Sequence, residues 1–407
     1  MRIRQLDILR AFAVLLVMGR HWWPCPEGTN PVVRVLVNAW EQCGWIGVDL
    51  FFVLSGFLIA GLLFREHRQH GSIRLKRFLI RRAFKIYPAF YVYLAFALFI
   101  LSSEGMFRWS VVWSEVLFVQ NYFERAWVHS WSLAVEEHFY LFLPLLLLVL
   151  IKCGRGADPF RPLVWVLFIV APLLLGLRIW TAVNVPYTNP SHMFPTHLRI
   201  DSLLFGVALS YWHHYHPDTV SALFGRFNRL FLASGIALVL PTVWVDPSHP
   251  LMHTVGLTAV YLGFGSILMA TLYRQPSGTT FLRPLGTLLA GIGVYSYSIY
   301  LWHLPMREAG LPLFRGLGGY FPGLAIYVAG SVIIGIGMSR LIEMRALKLR
   351  DRLFPALARP LAPPVKESEE RDREAEPEDR DPAPAASPGS TPPAPRAAPF
   401  VPITRYR

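Results

Sequence analysis

The chain has 407 residues, 54% of them hydrophobic and only 16% charged, with a formal net charge of +13. Its apolar residues come in runs of roughly 20, the length a helix needs to cross a bilayer core, which excludes a soluble fold built from amphipathic helices. The basic residues are spread over alternate loops rather than gathered on one soluble face, so the charge does not indicate a nucleic-acid binder.

Backbone groups in lipid must be paired within the segment, so these runs are helices and not strands. In chain order they predict spans near 6–23, 44–64, 87–103, 134–151, 162–180, 200–215, 230–245, 253–272, 286–306 and 321–343. The reading is an all-α, polytopic membrane helical bundle of about ten transmembrane helices, covering residues 1–355. The first apolar stretch carries Asp7, Arg10 and Arg20 and lacks a small-residue cleavage site, so it is expected to stay as a helix. From residue 361 to 407 the composition changes to Pro, Ala, Ser and mixed charge, the signature of a disordered cytoplasmic tail.

Lys and Arg distribution sets the expected orientation. Arg2, Arg4, the eight basic residues within 65–86, Lys152, Arg155, Arg161, Arg226, Arg229, Arg274, Arg283 and the six from Arg340 to Arg359 fall on one side, 23 in all. Arg34, Arg108, Arg125, Arg178, Arg199, Arg307 and Arg315 fall on the other, seven in all. By the positive-inside rule both termini are cytoplasmic. Cys25 and Cys43 then share the first outer loop, where a disulfide and two free thiols are equally compatible with the sequence, and no ligand pair with metal-site spacing accompanies them.

Ionisable residues inside spans are expensive and mark function. In the first span, LDILRAFAVLLVMGRHWW, Arg10 and His21 are eleven residues apart, about 16 Å of helical rise on one face. With the orientation above, Asp49, Glu136, Glu137, Arg199, Asp201, His303 and His21 all lie toward the outer third of the membrane, either as a hydrophilic cavity or as unrelated interfacial residues. Carboxylates beside histidines suit general acid and base work. On the cytoplasmic side, RLKRFLIRRAFKIYP concentrates cations just before the third span; it anchors topology on lipid headgroups, and Arg82 and Lys85 are spaced to hold a diphosphate. Trp22, Trp23, Trp45, Trp131 and Trp302 read as interfacial anchors, with sugar stacking the alternative.

These residues fall in blocks that resemble the membrane-bound acyltransferase-3 family, whose members O-acylate polysaccharides, lipopolysaccharide, glycolipids and macrolides. The blocks, in family order, are LDILRAFAVLLVMGRH, GWIGVDLFFVLSGFLI, RRAFKIYP, QNY followed by HSWSLAVEEHFYLFLPLLL, LRIDSLLFG, GVYSYSIYLWHLP and SRLIE, together covering residues 3 to about 350. The resemblance implies that Arg10 and His21 are required for activity with His21 the catalytic histidine, that Glu136 or Glu137 is the essential acid, and that Arg82 and Lys85 meet the acyl-CoA donor. The family more often has arginine at the position of Lys85, and Met344 stands where an arginine commonly follows the terminal glutamate. Many relatives carry a fused extracytoplasmic hydrolase-like domain, so this chain is expected to act alone or with a separate extracytoplasmic partner.

The expected activity is transfer of an acyl group, acetyl first among candidates, from acyl-CoA at the cytoplasmic face to a hydroxyl of a glycan or lipid-linked sugar at the outer face of a bacterial inner membrane. Arg10, Arg82 and Lys85 would bind the donor, His21 would act as general base or as transient acyl carrier with Glu136 or Glu137 orienting it, and Asp49, Arg199, Asp201 and His303 would serve acceptor or cavity. Acyl-CoA is a co-substrate, membrane lipids surround the protein, and neither a bound cofactor, a metal nor nucleic acid is expected. The rival is a proton-coupled secondary transporter using the same buried charges; against it, the sequence shows no repeated half and no matched pair of broken helices.

Overall fold

The computed structural model describes residues 3–154, 158–274, 283–316 and 319–355. The tail expected to be disordered, 361–407, lies outside the described residues. Among those described there are α-helices and short helical turns and no strand.

Helix α1 runs Arg4–Arg20 and α2 Pro31–Cys43, and a tight turn leads α2 into α3, Gly47–His70. Next come α4, Leu75–Ser103, the short α5, Trp109–Val116, and α6, Trp131–Cys153. They are followed by α7, Pro162–Asn184, α8, Asn189–His192, and α9, Ile200–Tyr215. The second half contains α10, Pro217–Arg226, α11, Asn228–Val239, α12, Leu257–Leu272, α13, Arg283–Val294, α14, Ser296–Gly316, α15, Tyr320–Met338, and α16, Met344–Leu353.

Among the described residues six helices are long and apolar enough to cross a membrane, and up to eight if each of two bent pairs forms one span. That measure does not reach the expected ten, for two reasons. Helices α1 and α9 have 17 and 16 residues, short of a full bilayer crossing. The predicted spans at 230–245 and 286–306 belong to broken elements, α10 with α11 bent by 79° and α13 with α14 bent by 77°. The sequence analysis found no matched pair of broken helices; both of these breaks lie in the C-terminal half, not one in each half as an inverted-repeat transporter would place them.

The short helices are central. Nearly every residue of α9 from Asp201 to Tyr211 is buried, and α1 buries residues all round its circumference, as helices enclosed by other helices do. The apolar windows of the α2–α3 segment and of α7 are 78% and 17% buried respectively, so the former lies inside the bundle and α7 turns its apolar surface outward to lipid. Close approach of α3 to α9 depends on paired glycines: a Cβ on Gly56 would sit 2.0 Å from the Leu203 carbonyl oxygen, and one on Gly206 would sit 2.3 Å from that of Val53. Small residues of this kind let membrane helices pack backbone to backbone. Gly293 plays the same part at the end of α13, where a Cβ would collide with the Asp7 carbonyl of α1.

The basic start of α4 is divided in its duties. Arg77 and Arg81 donate to the carbonyls of Pro355 and Phe354, and Arg81 also pairs with Asp351 at 3.2 Å, so they dock the C-terminal end of α16. Guanidinium groups complement exposed carbonyls at a helix C-terminus. All three cysteines are free thiols, Cys25 against Thr29 Oγ1 at 3.4 Å and Cys43 against the Trp40 carbonyl at 3.9 Å.

Candidate active site

The ionisable residues read from the sequence as either one outer hydrophilic cavity or unrelated interfacial groups are divided between two cavities and two buried ion pairs. The larger cavity, about 390 Å³, is lined at one end by Arg10, Arg65, Arg82, Lys85 and Arg350, and by Glu136 and Glu137. The smaller, about 90 Å³, is lined by His21, His129, Arg199, Trp45 and Trp131. Val48 and Tyr300 line both and form the partition between them. Helix α1 runs beside the two, with Arg10 on the first and His21, at its C-terminal cap, on the second.

Glu136 and Glu137 therefore face the cations and are not hydrogen-bonded to His21. Glu136 accepts from Ser55 Oγ at 3.1 Å and from the Tyr140 hydroxyl, and Glu137 accepts from the Tyr87 hydroxyl at 3.2 Å. The expectation that one of them orients the histidine fails because α6 turns both carboxylates toward α3 and α4. The Arg82 guanidinium stacks 4.2 Å above the Tyr140 ring, and its Nε has no partner. Lys85 does not stand free for an anion: it pairs with Glu343, whose second oxygen accepts from Ser298 at 2.8 Å and Ser339 at 3.0 Å. The SRLIE block forms a π-helical turn, Ser339–Glu343, that brings this carboxylate inward. Arg10 pairs with Asp7 at 3.0 Å. Among the described residues neither Arg65 nor Arg82 is held in an ion pair, and Arg65 and Arg350 are cavity residues that the sequence did not single out. Their signal is weak, since each sits in an ordinary basic helix end.

His21 has a different orienting partner. Its Nδ1 lies 3.0 Å from the Val17 carbonyl and 3.1 Å from His303 Nε2. A carbonyl can only accept, so Nδ1 carries the proton and His21 Nε2 keeps its lone pair. His303 Nδ1 likewise donates to the Tyr300 carbonyl at 2.6 Å, which leaves its Nε2 as the acceptor facing His21. Buried His303 thus fixes the His21 tautomer and ring plane, the task that the sequence analysis gave to a glutamate.

A third imidazole, His129, completes the cluster. It is 1% exposed, its ring centre is 4.9 Å from that of His303, and its Nε2 donates to the Leu301 carbonyl at 3.3 Å, leaving Nδ1 without a partner. His129 opens the HSW stretch of a block that the sequence analysis quoted for its glutamates alone. Its backbone carbonyl accepts from the Tyr300 hydroxyl at 2.7 Å, and Ser132 shares that hydroxyl at 2.6 Å.

Glu115 anchors the loop that carries His129. Outside the spans on α5 and fully buried, it accepts from Ser130 Oγ at 2.7 Å and from the Ala126 amide at 2.8 Å, while its other oxygen is unpartnered. Burial, against the pull of these hydrogen bonds, pushes its carboxyl up to about 7. The fold binds this proton more tightly than the unfolded chain does, so stability is full below the ordinary glutamate range and declines as pH rises through about 7. Amide exchange in 115–130 is expected to quicken between about pH 5 and 7 beyond its intrinsic rate, by up to about tenfold per pH unit, and to follow its intrinsic rate above that window. Glu115→Gln should remove that dependence; an unchanged profile would show that the carboxyl is not its source.

The remaining predicted residues form ion pairs. Arg199 Nη2 meets Asp49 Oδ1 at 2.8 Å, and Arg178, which the sequence analysis placed only in a count of loop charges, meets Asp201 at 2.8 and 3.3 Å. Of the five tryptophans, Trp22, Trp45, Trp131 and Trp302 are buried and pack within the bundle. Trp23 is half-buried and lies beneath the Arg307 guanidinium at 5.4 Å.

Fold and site together define a polytopic helical membrane protein with an imidazole cluster across a thin partition from a cation-lined cavity. Residues 3–340 match the family model described as an acyltransferase domain, and the chain belongs to this acyltransferase-3 family. The peptidoglycan O-acetyltransferase OatA of Listeria monocytogenes is 30% identical over 366 residues, 84% of this chain and 55% of that protein. The O-acetyltransferase OatA of Staphylococcus aureus is 29% identical over 325 residues, 74% of this chain and 50% of that protein. The chain spans about half the length of these curated relatives. No solved structure matches it.

Proposed function

We propose that the chain is an integral membrane O-acetyltransferase that moves an acetyl group from acetyl-CoA to a hydroxyl of an extracytoplasmic glycan, with peptidoglycan the leading acceptor from the relatives' names. The observation that carries this reading is the pair of cavities that share Val48 and Tyr300, one lined by a cluster of guanidinium groups and the other by an imidazole whose Nε2 keeps its lone pair. In this reading the cation end is cytoplasmic and the His21 end faces outward, across the cytoplasmic membrane of a bacterium.

Arg82, Arg65 and Arg10 hold the donor phosphates, as planar guanidiniums do better than an ammonium. Lys85 supports them electrostatically while tied to Glu343. The pantetheine arm passes along the larger cavity, about 16 Å from Arg10 to His21 by helical rise, and brings the thioester to the partition at Tyr300. His21 Nε2 takes the proton of the acceptor hydroxyl, and His303 stabilises the imidazolium through Nδ1. Glu136 and Glu137 balance the donor-side cations and keep Arg82 stacked on Tyr140. An extracytoplasmic partner delivers or receives the glycan.

The test is transfer of labelled acetyl from acetyl-CoA by the purified full chain in vesicles, with cell-wall glycan as acceptor. Arg82→Ala is expected to raise the acetyl-CoA KM by about 10- to 100-fold, the cost of one or two lost charge-assisted hydrogen bonds. A wild-type protein that neither binds nor turns over acetyl-CoA would refute the reading.

A further inference from the structure

The two buried ion pairs are built differently. Arg178 and Asp201 are closed on each other: two guanidinium nitrogens reach both carboxylate oxygens, and those nitrogens also reach the Leu198 carbonyl at 3.2 Å and Thr258 Oγ1 at 2.9 Å, so that of this pair only Arg178 Nε is without a partner among the described residues. Arg199 and Asp49 are joined through one nitrogen and one oxygen, with Arg199 Nη1 and Asp49 Oδ2 both buried and without a partner among the described residues. A purely structural pair would gain by closing to the bidentate form, because a buried unsatisfied donor carries its desolvation cost uncompensated.

Position gives the open donor a use. Arg199 is 2% exposed, lies between the Trp131 and Phe52 rings at 5.4 and 5.8 Å, and lines the same small cavity as His21 and His129. Packing and the Asp49 bond hold the guanidinium in advance of any ligand, which is the condition under which a donor stabilises developing charge without reorganising.

Resting on the acyl-transfer reading, we propose that Arg199 is the oxyanion-stabilising residue of this site and Asp49 the positioning residue that aims it. The acceptor hydroxyl oxygen attacks the thioester carbonyl carbon, its proton passes to His21 Nε2, and the carbonyl π pair moves onto oxygen, where Arg199 Nη1 donates to it. When the tetrahedral intermediate collapses, the C=O bond re-forms, the C–S bond breaks, and the thiolate leaves with the proton returned by His21. A cation fits this place because the negative charge appears only in the transition state and intermediate, so the interaction acts on kcat and not on donor binding.

The deciding variant is Asp49→Asn with Arg199→Gln, which removes both charges together and leaves no unpaired ion behind. The proposal predicts a stably inserted protein whose melting temperature and acetyl-CoA KM match wild type and whose kcat falls by about 10²- to 10³-fold. Asp49→Asn alone, which keeps the oxygen acceptor, should lower kcat by less with the donor KM again unchanged. Wild-type kcat in the double variant, beside an active wild type, would overturn the assignment and leave the acyl-transfer reading standing; an inactive wild type would refute both. If the double variant does not insert, Arg199→Lys decides: it keeps the charge on Asp49 but removes the second donor nitrogen. Loss of kcat by at least about tenfold at constant KM supports the proposal, and wild-type kcat overturns it.

Discussion

Alanine in place of His21 is expected to lower acetyl transfer by about 10²- to 10⁴-fold, the range supplied by a positioned general base, with acetyl-CoA binding retained. Binding should persist because the cations of the larger cavity lie on the far side of the Val48 and Tyr300 partition. His303→Ala is expected to lose about tenfold to a hundredfold, since His21 Nδ1 keeps the Val17 carbonyl at 3.0 Å but loses the His303 nitrogen at 3.1 Å. The check is single-turnover transfer beside donor binding by equilibrium dialysis. Equal activity in wild type and His21→Ala would move the chemistry away from the end of α1.

The largest loss of stability is expected from Asp201→Ala. Its side chain and that of Arg178 are 0% and 1% exposed, so removing the carboxylate strands a guanidinium inside the bundle at a cost of about 3–5 kcal/mol. Thermal unfolding of the purified variant in detergent should show a lowered transition or loss of monodisperse protein. Replacing both partners with apolar residues of similar volume should recover most of the loss, because no buried charge is then left alone. A variant with Asp201→Ala alone that melts with wild type would show that Arg178 finds another partner or water.

Much of the candidate site was legible in the chain. The eleven-residue spacing from Arg10 to His21 placed a cation and an imidazole along one helix, and the structure gives each its own cavity. Less legible were the partners. Asp49 and Arg199 are 150 residues apart and His21 and His303 are 282 apart, and no local periodicity encodes which buried acid meets which buried base. Glu136 and Glu137 were assigned to the histidine because both lie near the start of a span, yet the azimuth of α6, which depends on packing against α3 and α4, turns them to Ser55, Tyr140 and Tyr87. His129 was passed over because a histidine just ahead of a span reads as an interfacial residue until the loop folds inward on Glu115.

The sequence by itself determined the class of structure, because apolar runs of bilayer length have no solution in lipid except the helix. It also determined the inventory of costly polar groups, since each charge in such a run stands out against its neighbours. Only the tertiary structure decided how many helices are full spans, where two of them break, and how the charges divide into a cation-lined cavity, a histidine cluster and two ion pairs. Those outcomes depend on helix rotation and close approach, set at contacts such as Gly56 against Leu203 and Gly293 against Asp7. Such contacts join residues far apart in the chain, and their energies are decided by shape and not by local composition.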